Sequence, residues 1–236
     1  DLDFHGTPYW RREHQMPGLY WCTKHRLALG YVEASNAYLL PPSAYYKNHQ
    51  PVDHSWVQQL QQSAPVQRFL AISSDLLARS KPLDELAVSR AAKARAIELG
   101  LHAGRGVVER RLVSDLIKER FDSAWLGSVF PELAEKPVGE YVPSIESALY
   151  GKRHGVASAV YALVFAALFD TPEEAVNAMV EASAEENAKA RSSAEMAELS
   201  DQQLQEAYAT CRGSHAAVAR ELGLGAYVVR KRLLEM

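Results

Sequence analysis

Residues 156–169 form a nearly unbroken apolar run, from Val156 through Val160, Leu163, Val164, Phe165 and Leu168 to Phe169. As a helix, its fourteen residues rise only about 21 Å, short of the roughly 30 Å hydrocarbon core of a bilayer. A helix that is apolar on every face and too short to span a membrane has to be wrapped by other elements. The run therefore predicts a buried core helix in a soluble, mainly α-helical protein with no membrane partner.

The rest of the 236-residue chain can supply that wrapping. Its 47% apolar and 23% charged residues are those of an ordinary globular protein with room for one large domain or two to three small ones. After the first-turn Pro65, residues Val66, Phe69, Leu70, Leu76 and Leu77 fall on one helical face, and Lys81-Pro82 ends that helix. Residues 84–99 read as a helix closed by Gly100, and residues 107–121 as another with Val108, Leu112, Leu116 and Ile117 as its stripe. Together they suggest a helix-turn-helix-like pair at about 84–121. Thr171, Pro172, Glu173 and Glu174 supply a cap, a first-turn proline and two acids for a further helix start. Residues 171–199 carry seven acids against two bases, so an exposed helix and linker is expected there, with a domain boundary near Leu199. The helical body is thus expected over residues 54–199.

The net charge of −3 excludes a globally basic nucleic-acid binder, so a DNA-contacting surface must be local. Residues 87–120 hold eight Lys/Arg (Arg90, Lys93, Arg95, Arg105, Arg110, Arg111, Lys118 and Arg120) against four acids, and Arg105, Arg110 and Arg111 are expected to meet phosphates. Lys152-Arg153-His154 forms a second, smaller basic turn. Cys22 and Cys211, the only two cysteines, are too few and too distant to form a disulfide scaffold, which suits a reducing, cytoplasmic setting.

Residues 200–236 read as three short helices: 201–210 after the cap Ser200, 214–222, and 225–234, the last two joined by Gly223-Leu224. Small Ala219, four residues before the turn glycine, allows close helix approach, and Leu222, Leu224, Val229 and Leu233 close a small core. That is helix-turn-helix spacing. The last helix should then point Ala226, Tyr227, Arg230 and Lys231 outward into a DNA major groove, with Arg232 near its end. A trihelical protein-binding bundle has the same pattern. Five Lys/Arg against four acids in this segment is a thin cationic surface for DNA.

Residues 1–53 hold six of the eleven tyrosines and two of the four tryptophans, with turn formers at Pro8, Pro17-Gly18, Pro41-Pro42 and Pro51. So small a module, poor in aliphatic residues, needs a metal or a neighbour to hold together. Cys22-Thr23-Lys24-His25 is a C-x2-H knuckle, half of a four-ligand zinc site. Trp10, Tyr20 and Trp21 read as this module's apolar core rather than as base-stacking groups.

The segment from Gly6-Thr7-Pro8-Tyr9-Trp10 through Pro17-Gly18 and Cys22-Thr23-Lys24-His25 to Leu29 resembles the zinc-finger core of the TniQ/TnsD family of transposon target-selection proteins. The likeness continues more loosely through residues 94–110 and 154–174. In that family a C-x2-C pair lies shortly before the Gly-x-Pro-Tyr-Trp stretch. The resemblance therefore implies that the first knuckle lies upstream of Asp1, that His5 or His14 replaces it, or that zinc has been lost; the first is favoured. It also implies a protein that neither cuts nor joins DNA. Such a protein recognises a target, by DNA sequence or through an RNA-guided complex, and recruits a TnsC-like ATPase regulator and the transposase.

The residues fit a non-enzymatic reading. The chain contains no H-E-x-x-H, G-x-x-x-x-G-K-[ST], G-x-S-x-G or G-x-G-x-x-G motif. The acid pairs Glu173-Glu174 and Glu185-Glu186 suit solvated helix faces. The expected function is a double-stranded-DNA-binding target-selection adaptor. A protein- or ribonucleoprotein-docking adaptor with little DNA readout, or a helix-turn-helix transcription regulator, stands as the alternative.

Overall fold

A computed structural model describes residues 9–101, 111–151, 155–198 and 201–235. The chain is mainly helical. Its elements are a two-residue antiparallel ribbon, β1 (Gly30–Tyr31) and β2 (Gln50–Pro51), and the helices α1 (His54–Gln62), α2 (Ala64–Ala78), α3 (Glu85–Glu98), α4 (Val113–Arg120), α5 (Ser123–Val129), α6 (Pro131–Ala134), α7 (Pro143–Glu146), α8 (Ser158–Leu168), α9 (Pro172–Glu198), α10 (Asp201–Thr210), α11 (His215–Glu221) and α12 (Ala226–Glu235). Among the described residues no helix is long and apolar enough to cross a membrane. Two compact units emerge, residues 1–82 with 89–178, and residues 83–88 with 179–236.

The apolar run folds as α8, and every residue from Val160 to Leu168 is buried. Helices α2, α4 and α7 pack against it. Its C-terminal carbonyls, which no further helical turn can satisfy, are met by arginines from three other helices. Arg68 donates to the carbonyls of Ala166 and Asp170, Arg120 to that of Ala167, and Arg95 to that of Leu168. Three cations at the negative end of a buried helix also oppose its dipole.

The N-terminal residues are tied to this helical body rather than standing apart, so the boundary expected at 53/54 falls inside one compact unit. Trp125 of α5 is fully buried and donates its indole N–H to the Gly18 carbonyl at 3.1 Å. Gly18 sits at φ +75°, and a Cβ there would lie 2.5 Å from the Trp125 ring. Tyr20 packs on Trp56 and its hydroxyl reaches Ser128. Within the module, Trp10 lies between Tyr38 and Tyr45 and donates to the Leu40 carbonyl. Trp21 is buried, as a core role requires.

The body also buries a polar cluster. Asp115 takes N–H donors from Leu112 and Gly139 and pairs with Lys136, both side chains being almost wholly enclosed. Burial pushes the Asp115 carboxyl up, but Lys136 and the two N–H donors outweigh it and hold it below its usual value. Glu146 accepts from the Ser114 N–H at 3.0 Å, and burial raises its pKa.

Helix α4 starts at Val113, later than the expected 107–121 helix. Leu112 is extended because its N–H is bound by the Asp115 carboxylate, a backward reach from the first turn that starts a helix. Between α3 and α4 the described residues 99–101 and 111–112 are not helical. Residues 102–110, where the connection of the pair expected at 84–121 falls, lie outside the described residues, as do His5, the 152–154 basic turn and the cap Ser200.

The Thr171 cap, which accepts from Glu174 N–H, starts α9 as its sequence predicts. The change of unit falls at 178/179, inside α9, rather than near Leu199. Ser183 of α9 is buried and accepts from the Asp84 N–H.

Candidate nucleic-acid interface

The C-terminal trihelix is built as its spacing predicts. Ser214 caps α11 by accepting from Ala217 N–H. The helix closes at Gly223, φ +67°, with Leu224 N–H on the Ala219 carbonyl at 2.8 Å and Gly223 N–H on that of Arg220, a Schellman closure that needs a left-handed residue. The four residues 222–225 then turn the chain into α12. Leu204, Ala207, Val218, Ala219, Leu224 and Val229 form one buried cluster, with Tyr208, Cys211, Leu222 and Leu233 packed on it. The contact at Ala219 is close because alanine carries little bulk.

With Val229 turned inward, the opposite face of α12 carries Ala226, Tyr227, Arg230 and Lys231, all exposed, and Tyr227 is 77% exposed. Tyr227, Arg230, Lys231 and Leu234 are spaced i, i+3, i+4, i+7 and share one stripe. A planar guanidinium that projects from the first half of an exposed helix can reach the two acceptors of a guanine edge. The apolar end of the stripe, exposed Leu234, was not anticipated, although the i+7 spacing from Tyr227 is readable in the sequence. Cys211 Sγ donates to the Glu221 carboxylate at 2.7 Å, and that carboxylate pushes the thiol up, away from thiolate chemistry. Nothing in the sequence flags this link between α10 and the end of α11.

Five of the described cations in residues 87–120 face other groups of the protein. Arg95 and Arg120 cap α8, and Arg95 also lies over Phe169. Lys118 donates to the Ala134 and Lys136 carbonyls, Lys93 lies over the Tyr150 ring, and Arg111 pairs with Glu119. Of the three arginines expected on phosphates, Arg111 is exposed but ion-paired, while Arg105 and Arg110 lie outside the described residues.

At the Cys/His knuckle the chain makes a tight reversal. Arg26 N–H donates to the Cys22 carbonyl, Cys22 N–H to that of Leu27, Trp21 bridges Ala28, and Arg26 takes φ +56°. This brings Cys22 Sγ to 3.4 Å from His25 Nδ1. Two ligands on one tetrahedral zinc stand about 3.5 Å apart, given Zn–S near 2.3 Å and Zn–N near 2.0–2.1 Å. The pair thus fits one edge of such a site. Among the described residues no third His, Cys, Asp or Glu joins them. His14 is half-buried, and its pKa is lowered first by burial and then by Arg11.

No protein-family model, characterised protein or solved structure matches this chain.

Proposed function

We propose that this chain is a non-catalytic adaptor that binds double-stranded DNA through α12 and selects the target for a transposition machinery, handing it to an ATPase regulator of the TnsC kind and to a transposase. The observation that carries the reading is the exposed Ala226, Tyr227, Arg230 and Lys231 stripe on a helix held by a four-residue glycine turn. The resemblance of residues 6–29 to the TniQ/TnsD zinc-finger core supplies the transposition context. In this reading Cys22 and His25 are two of four zinc ligands, and the metal's part is to fold the tyrosine-rich module rather than to do chemistry.

The test starts with a duplex enriched from a random-sequence library by the full chain. Tyr227→Ala and Arg230→Ala are each expected to weaken binding to that duplex about 5- to 150-fold and to relax preference at the positions read, as loss of a base contact does. Wild-type affinity and preference in both variants would remove α12 as the reader. For the metal, mass spectrometry of the intact chain is expected to find zinc that Cys22→Ser loses; equal metal content in both would discard the ligand assignment.

One observation favours a second reading, an adaptor that docks a protein or ribonucleoprotein and touches DNA little. Lys93, Arg95, Lys118 and Arg120 are turned to internal carbonyls and rings, which leaves fewer cations for phosphates. Affinity for DNA that barely responds to salt supports this alternative.

A further inference from the structure

The tyrosine-rich module carries more exposed apolar surface than its own folding needs. Tyr38 is 66% exposed, Leu39 80% and Tyr46 78%, with Tyr31 and Leu40 also open to solvent. The exposed rings are not scattered. Tyr38 and Tyr45 flank Trp10 at centroid distances of 5.7 and 6.1 Å, and Tyr46, next in the chain, lies 6.3 Å from the His49 ring. The row is held in place. The Tyr38 hydroxyl donates to Gln15 Oε1 at 2.8 Å, and His49 Nδ1 meets the Tyr46 carbonyl at 2.8 Å. The His49 ring also packs on Gly30, where a Cβ would lie 2.3 Å from Cδ2.

The charge beside these rings is mainly positive. Between Glu33 and Asp53 there is no acidic residue, while Lys47 and His49 lie within that span. Lys47 is exposed next to Tyr46, and exposed Arg12 belongs to the short turn Arg12–Gln15 whose Gln15 holds Tyr38. Glu13, the one acid on that turn, faces Arg11 at 3.6 Å. Pre-positioned aromatic rings with cations near them, and with the nearby acid Glu13 facing Arg11, match the faces and phosphates of unpaired nucleotides. A duplex has no free base faces to offer them.

We propose that Tyr38, Tyr45, Tyr46 and His49, with half-buried Trp10 packed against Tyr38 and Tyr45 as their support and Arg12 and Lys47 near them, form a stacking platform for a single-stranded nucleic acid. The proposal does not depend on the duplex-reading role of α12.

The experiment uses the full chain and fluorescein-labelled 20-nucleotide oligo-dT and oligo-U, followed by anisotropy at about 50 mM salt, where phosphate contacts are weakly screened. Both arms carry base faces and phosphates, and their relative affinity tells whether DNA or RNA is preferred. Tyr38→Ala and Tyr46→Ala are each expected to weaken binding about 5- to 100-fold, while Tyr46→Phe keeps wild-type affinity because stacking uses the ring and not the hydroxyl. Thermal melting of each variant separates lost binding from lost folding. Tyr46→Ala is expected to lower affinity for the oligonucleotides by a larger factor than affinity for duplex, and Arg230→Ala the reverse, so a failure of the α12 reading leaves this result standing, and the reverse. The proposal is overturned if neither oligonucleotide binds, if folded Tyr46→Ala binds like wild type, or if Tyr46→Phe loses as much as Tyr46→Ala. Light scattering that finds a dimer dissolved by Tyr46→Ala would overturn it too, because a second copy would then cover the row.

Discussion

Gly18→Ala tests how the N-terminal module is held. The substitution meets two costs. At φ +75° an L-residue gives up about 1–2 kcal/mol relative to its preferred conformations. The new methyl also lies 2.5 Å from Trp125 Cζ2 and 2.8 Å from Cε2 and Nε1. Trp125 is fully buried against Phe69, Phe121 and Phe130, so it cannot retreat, and overpacking of this kind costs about 1–3 kcal/mol. The expected loss is about 2–5 kcal/mol. All four tryptophans, at 10, 21, 56 and 125, lie in the first compact unit, so tryptophan fluorescence in a urea titration reads that unit. With a urea slope of about 2–3 kcal/mol/M the midpoint falls by about 1–2 M. Gly139→Ala is the control in the same unit. Its φ is +79° but nothing lies within 4 Å of its Cβ position, so only the conformational cost of about 1–2 kcal/mol applies. In a Trp125→Phe background, which lacks the atoms struck, the Gly18→Ala penalty should shrink to the Gly139→Ala value. Equal shifts for Gly18→Ala and Gly139→Ala in the wild-type background would refute the docking argument.

Lys136→Met leaves the Asp115 carboxylate buried without its cation, and chemical denaturation at pH 7 is expected to show a loss of about 3–5 kcal/mol, of which Lys136→Met with Asp115→Asn recovers a substantial part. Glu146, whose folded pKa is raised by burial, binds its proton more tightly folded than unfolded, so stability falls as pH rises above about 4.3, the unfolded value, until the folded pKa is passed. Glu146→Gln should therefore match wild type below pH 4 and gain on it with rising pH; a pH-independent difference refutes the assignment. Because Glu119 already neutralises Arg111, Arg111→Ala is expected to weaken duplex binding by no more than about threefold, the scale of an exposed ion pair. A larger loss than for Arg230→Ala would move the interface to α4.

What the sequence discloses is local. The α8 run is apolar on all faces and can only be buried, and Ala219, Gly223 and Leu224 dictate a tight helical turn whatever surrounds them. Gly100 likewise ends α3 at φ +71°. The attachment of the N-terminal module was not legible, because Gly18 and Trp125 are 107 residues apart and neither periodicity nor composition pairs them. The start of α4 is hard to read because the valines at 107–108 extend the apolar stripe, whereas Asp115, three residues beyond Leu112, carries the start signal. What the cations of residues 87–120 face is not legible either. A count of Lys and Arg records charge but not what the charge faces, and here Arg68, Arg95 and Arg120 converge on one helix end from three separate helices.

That convergence bears on how strongly the protein can hold DNA. If only Arg230, Lys231 and Arg232 of α12 meet phosphates, the salt slope is about −0.9 × 3, or −2.7, and affinity falls roughly 40-fold between 50 and 200 mM salt. If all eight bases of residues 87–120 also faced the backbone, the slope would approach about −10, and the same change of salt would abolish binding. A measured slope near −3 therefore fits a reader whose cations are confined to one short helix. Such a reader is weak at physiological salt and needs a second anchor to stay at its site. In the proposed role that anchor is the partner: an adaptor that bound DNA tightly everywhere could not leave the choice of target to the assembly it recruits.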